Sequence, residues 1–259
     1  MYFAQKVRNF EMTVGDYYNF RRLFYTGYLT GETIRIIFIT VLHNTVTEEQ
    51  MTKPVEGVSE KILACAREEF LEKGYSDASL RTIAAKADVT TGSIYSRFGG
   101  KEGLFSAIVQ PAADEFTDIF LRTQEEFHAV DEEKQAGLMD AYVTSGMEKM
   151  LDCMYDHFEE FQLLLDASYG TKFQNFVEHL VEIETEYTYK FMQVIQFQNE
   201  GAKEIPEEFI HIMTTALFES AFEVVRHKMP REKAEDYVKM LEKYHYGGWN
   251  AIMNFDENR

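Results

Sequence analysis

The stretch Ser79–Lys101, SLRTIAAKADVTTGSIYSRFGGK, decides the fold. Ser79 is placed to cap a short helix in which Leu80, Ile83, Ala84 and Ala87 recur at helical spacing and face inward. Asp88-Val89 reads as a tight turn. Thr90 caps a second short helix whose inward residues are Ile94 and Phe98; Gly99-Gly100 ends it, and Lys101 starts another helix. Upstream, Ile62, Leu63, Ala66, Phe70 and Leu71 line one face of a longer helix, with Ser59 as its expected cap and Gly74 as its stop.

Two short helices joined by a three- to four-residue turn and buttressed by a longer one form the helix-turn-helix arrangement, whose second helix enters the major groove of DNA. Side chains at the leading end of such a helix must be short or polar. Here they are Thr91, Gly92 and Ser93, followed by Tyr95, Ser96 and Arg97. Gly92 lets the backbone come close to a duplex, and the hydroxyls can bond phosphates. Thr90 serves first as a cap.

Ile83-Ala84, Ala87-Asp88-Val89-Thr90-Thr91-Gly92-Ser93-Ile94-Tyr95, Phe98, Lys101-Glu102 and Leu104-Phe105 together resemble the TetR family of transcriptional regulators. Ala66, Phe70, Gly74 and Tyr75 look like that family's first helix and turn. The specific likeness covers about fifty residues. It implies an all-α fold, with an N-terminal three-helix DNA-binding domain followed by a larger helical domain for ligand binding and dimerisation. It also implies roles by position. Arg81 and Thr82 would lie near the backbone or a groove edge, Thr91, Gly92 and Ser93 at base edges, and Tyr95 and Lys101 on phosphates. Two residues depart from the pattern: Gly100 stands where a polar cap is usual, and Thr91 where lysine is commoner.

A net charge of −18 speaks against nucleic acid until its distribution is read. Residues 51–105 carry eight basic and eight acidic side chains, whereas residues 106–259 carry thirteen and thirty-one. The reader is neutral, and the acidic part is expected to turn away from the duplex. The two cysteines, Cys65 and Cys153, lie far apart without metal spacing, so they read as packing residues in a reducing compartment and no metal or cofactor is expected. The longest apolar run, Ile36–Leu42, is far shorter than the ~20 residues of a membrane span. A soluble, cytoplasmic protein is the expectation.

Beyond Pro111 the spacing predicts helices over 112–127, 134–157, 159–167, 172–198, 206–227 and 231–255. Tyr142, Met147, Met150, Met154, Phe161, Tyr187 and Phe191 supply adaptable and aromatic side chains for an apolar ligand pocket, as well as for ordinary core. Glu182, Glu184 and Glu186 read as one solvated face. Met213, Leu217, Ala221, Leu241, Tyr244 and Trp249 on the last two helices are the expected dimer surface. A homodimer would present two readers to a palindromic double-stranded operator, ~34 Å or a multiple of it apart, and a small-molecule effector would release it.

The expected organisation is therefore residues 1–50 as an atypical extension, 55–105 as the reader with its helix-turn-helix at about 79–98, and 106–259 as the helical ligand and dimer domain. Residues 1–50 mix aromatics with a strand-like run over 34–42. They read either as an extension with its own role or as a leader upstream of a natural start at Met51, with the second favoured. No G-x-S-x-G, HExxH, P-loop or dinucleotide glycine pattern points to an enzyme. The competing reading is a helical adaptor or effector-binding protein without specific DNA binding.

Overall fold

A computed structural model describes residues 57–195 and 205–253, and the N-terminal 1–50 readings lie outside these residues. Among the described residues the structure is all helix, with no strand. In chain order the helices are α1 Val58–Asp77, α2 Leu80–Ala87, α3 Thr91–Phe98, α4 Lys101–His128, α5 Glu132–Asp156, α6 Phe158–Asp166, α7 Phe176–Val194, α8 Glu207–Arg226 and α9 Arg231–Met253. No described helix is long and apolar enough to cross a membrane.

Several boundaries differ from the sequence reading; α7, expected from 172, starts at Phe176 after a run of turns. Ser59 does not cap α1; Gly57, in the left-handed region at φ 96°, holds that place, and its carbonyl accepts from the Lys61 N–H at 3.1 Å. Pro111 does not divide two helices but lies inside α4. A proline forfeits one backbone bond and crowds the preceding turn. The buried face that runs unbroken through Leu104, Phe105, Ile108, Ala112, Phe116 and Phe120 holds the helix together across it. Residues 105 and 106 consequently share one helix. Gly74 does break α1, with φ 71° and ψ 169°.

One apolar core joins α1–α4 to the longer helices. Near the reader, Phe70 and Phe105 meet edge-on at 5.1 Å, with the Tyr75 ring 5.4 Å from Phe105. Deeper in, Phe116 contacts Phe161 at 5.3 Å and Phe222 at 5.6 Å, edge-on and tilted pairings that aromatic rings favour. Cys153 is buried, and that burial, with Glu115 and Asp156 nearby, pushes its thiol up to about 12.

Candidate nucleic-acid interface

The Ser79 hydroxyl accepts from the Thr82 N–H at 3.5 Å and starts α2. The helix stops at Asp88, which turns left-handed at φ 57°, while the Val89 N–H returns to the Ala84 carbonyl at 2.9 Å. Aspartate tolerates that conformation better than a branched residue. The Thr90 hydroxyl then accepts from the Ser93 N–H at 3.2 Å and starts α3. Gly99, left-handed at φ 75°, closes α3 through its N–H on the Tyr95 carbonyl at 2.9 Å.

Ile94 is completely buried and seats α3 on the core. The opposite face bears Gly92, Tyr95, Ser96 and Arg97, all exposed, with Thr91 and Ser93 half-buried beside them. Arg97 Nε donates to the Ser93 hydroxyl at 3.5 Å, and the Ser96 hydroxyl donates to the Ser93 carbonyl at 3.1 Å. Arg81 is exposed and Thr82 half-buried at the start of α2. A Cβ built on Gly92 would meet only the Thr90 hydroxyl, at an ordinary 3.6 Å, so the protein interior does not require glycine there.

Lys101 is tied into the protein as well as standing at the start of α4. Its ammonium donates to the Ser76 carbonyl at 2.9 Å and lies 4.8 Å from the Tyr75 ring centre. Burial holds its pKa below the ordinary lysine value, against the opposing pull of Asp77. It thus joins α4 to the end of α1.

Sequence reasoning missed two residues that shape this surface. Glu69 is completely buried on α1, yet its carboxylate accepts from Lys73 at 2.9 Å and from the Ser79 N–H at 3.3 Å, with Lys86 at 3.6 Å. Burial pushes its pKa up, but these partners outweigh burial and hold it below the ordinary glutamate value. An acid set on the apolar face of α1, three residues after Ala66 and beside Phe70, was the available signal. Gly103 is the other: a Cβ there would fall 1.7 Å from the Phe98 carbonyl, so α3 and α4 approach this closely only over glycine.

The helical body encloses a cavity of about 190 Å³ between α4, α5, α7, α8 and α9. Tyr142, Met147, Met150, Met154, Tyr187 and Phe191 line it. Phe161 does not, being fully buried against Phe116 and Phe222. Glu184 lines it too, so the expected solvated face of Glu182, Glu184 and Glu186 is corrected: the outer two are exposed, and Glu184 turns inward, accepting from the Gln124 amide at 2.6 Å. The spacing Glu184, Tyr187, Thr188, Phe191 on one helical face carried that signal. Leu217, Ala221 and Trp249 also face the cavity, whereas Tyr244 is exposed and Met213 and Leu241 are half-buried.

Residues 62–108 match the family description "Bacterial regulatory proteins, tetR family". The chain is 32% identical over 91 residues to the HTH-type transcriptional regulator UidR of Escherichia coli strain K12, covering 35% of this chain and 43% of that protein. It is 41% identical over 54 residues to the HTH-type transcriptional regulator SrpR of Pseudomonas putida, covering 21% and 25%. It therefore spans less than half the length of these curated relatives. Among solved structures it is similar to SmeT, the repressor of the Stenotrophomonas maltophilia multidrug efflux pump SmeDEF, with TM-score 0.49, 18% identity and coverage of 74% and 90%. Similar again is a TetR-like transcriptional regulator from Rhodococcus sp. RHA1, with TM-score 0.48, 18% identity and coverage of 76% and 98%. The capped helix pair thus lies within a segment, residues 62–108, that matches the TetR family of bacterial regulatory proteins.

Proposed function

We propose that the protein is a dimeric, sequence-specific DNA-binding transcriptional regulator, a repressor that leaves a palindromic operator when a small molecule fills the cavity of its helical body. The observation that carries this reading is the leading end of α3. A glycine the fold does not need sits there between short hydroxyl side chains, on an exposed face flanked by Arg81, Tyr95 and Arg97. That surface is shaped for close approach to a groove and for phosphate contacts.

The link between cavity and reader has a physical candidate in α6. Its Phe161 packs on Phe116 and Phe222, two side chains that reach the cavity wall. Its Glu160 receives Arg67 of α1 at 2.5 Å, and the Ala167 carbonyl just beyond it accepts from the Tyr75 N–H at 3.0 Å. A ligand that prefers one placement of α6 would bias the reader's position, and so its match to the groove repeat.

A gel shift with the DNA upstream of the protein's own gene tests the reading. Specific retardation, abolished when Thr91, Ser93 and Tyr95 are replaced together by alanine, is expected. Absence of specific binding, with and without cell extract, would overturn it in favour of a helical adaptor.

A further inference from the structure

We infer that the cavity selects a compact lipophilic organic cation, an ammonium group on an aromatic or branched alkyl frame, held by the carboxylates of Glu184 and Glu242 within a wall of aromatic rings and methionines. This rests on the reading of that cavity as the effector site.

The wall supplies the apolar part. Phe127, Tyr142, Tyr187 and Trp249 present rings, and Met147 and Met150 adapt around them. Ring faces attract a cation, and the attraction strengthens where water is excluded. The charge comes from two different helices. Glu184 on α7 is held by the neutral amide of Gln124, and Glu242 on α9 by the hydroxyl of Thr144. Neither forms an ion pair among the described residues, where the acids of the ion pairs are Glu69, Glu115, Glu159, Glu160 and others elsewhere. The described lining contains no lysine or arginine to receive an anion. Its histidines do not replace them. Burial lowers the pKa of both His128 and His245, with Lys190 adding to the effect at His128. Burial also pushes the Glu184 carboxyl up to about 7, the mark of a carboxylate that lacks a positive partner and would gain one from a bound cation. The volume of about 190 Å³ lies below the ~300–1,000 Å³ of sites for larger ligands, which favours a one-ring compound.

Trp249 is the chain's one tryptophan and lines the cavity, so its fluorescence reports binding. Full-length protein is titrated with benzyltrimethylammonium, with its neutral isostere neopentylbenzene and with phenylacetate. The cation is expected to bind at least tenfold more tightly than the neutral compound, and phenylacetate most weakly. Glu184→Gln with Glu242→Gln should cost the cation tenfold or more while leaving neopentylbenzene within twofold, which also shows an intact cavity. If that double variant fails to fold, the ranking of the three probes on the unaltered protein decides alone. Equal binding of cation and isostere, tightest binding of phenylacetate, or a charge preference that survives both substitutions would overturn the inference. In a parallel gel shift, cation binding that leaves the DNA complex intact supports the charge selection and removes the effector reading. Release by an anion or neutral compound, with the cation inert, removes the inference and leaves the effector reading in place.

Discussion

Gly92 separates what the fold requires from what the surface does. Glycine inside a helix costs ~0.5–1 kcal/mol relative to alanine because it loses more backbone freedom on folding. At Gly103 the structure explains that cost, since a Cβ would collide with the Phe98 carbonyl at 1.7 Å. At Gly92 it does not: the added methyl would sit in ordinary contact with Thr90. Gly92→Ala is therefore expected to raise the melting temperature by about one to four degrees, because α3 gains helix propensity and nothing inside is displaced. The same methyl would hold the backbone away from the duplex. Operator affinity should then fall about fivefold or more, the scale of one lost base-edge contact of ~1 kcal/mol. A thermal melt and a binding titration on one preparation check both signs; a variant that is less stable, or that binds as well as the parent, would show that Gly92 serves the fold alone.

Between elements, the reader is held together by a buried charge as much as by apolar packing. Glu69 reaches from α1 to the N-terminus of α2 through Ser79 and neutralises Lys73 and Lys86. Its folded pKa lies below the ordinary value of 4.5. The stabilisation is therefore present above about pH 4.5 and is lost as pH falls through the folded value. Glu69→Gln keeps the shape and removes the charge, and at pH 7 it should cost ~1.5–3 kcal/mol, the worth of a hydrogen bond to a charged group. The gap from the parent should shrink as the pH falls from 7 toward 3 and the carboxyl takes up its proton. Denaturant titrations at the two pH values measure it, and a gap that widens on acidification would contradict the assignment. This scale also shows what the sequence made legible. Capping residues and the period of Ile83, Ala87 and Ile94 locate α2, the turn and α3, because each is a local event within a few residues. Glu69, the unbroken α4 and the inward turn of Glu184 depend on neighbours distant in sequence: Lys86, the buried stripe on both sides of Pro111, and Gln124. A helical period marks which face is apolar but does not say which polar residue on that face finds a partner inside.

At the scale of the molecule, the last two helices have two sides with different occupants. Leu217, Ala221 and Trp249 turn to the cavity. The opposite side leaves an apolar patch on α9, with Met240 64% and Tyr244 77% exposed; Ile212 of α8, 57% exposed, lines a separate groove with Tyr189, Glu207 and Glu208. Gly247 and Gly248 lie beside the α9 patch with open space above them, room for another helix to come close. Hence the dimer surface we propose is the outer face of α9, around Met240 and Tyr244, rather than the whole stripe expected from periodicity. Two-fold pairing there would bring two copies of α3 to one duplex, with the acidic helical bodies beyond them. Among the described residues, Arg67, Lys73 and Lys86 of the reader are already paired with carboxylates, so affinity is expected to come from both half-sites being engaged together. Met240→Glu with Tyr244→Glu places four carboxylates across a two-fold contact while replacing no residue of the cavity lining or the reader. Sedimentation should then show a dimer for the parent at micromolar concentration and a monomer for the variant, with unchanged helical content by circular dichroism. Operator affinity should fall by ~100-fold or more, because the second reader no longer binds at the high effective concentration that a linked partner provides. A variant that stays dimeric would put the interface elsewhere; a monomer that keeps full affinity would mean one reader suffices.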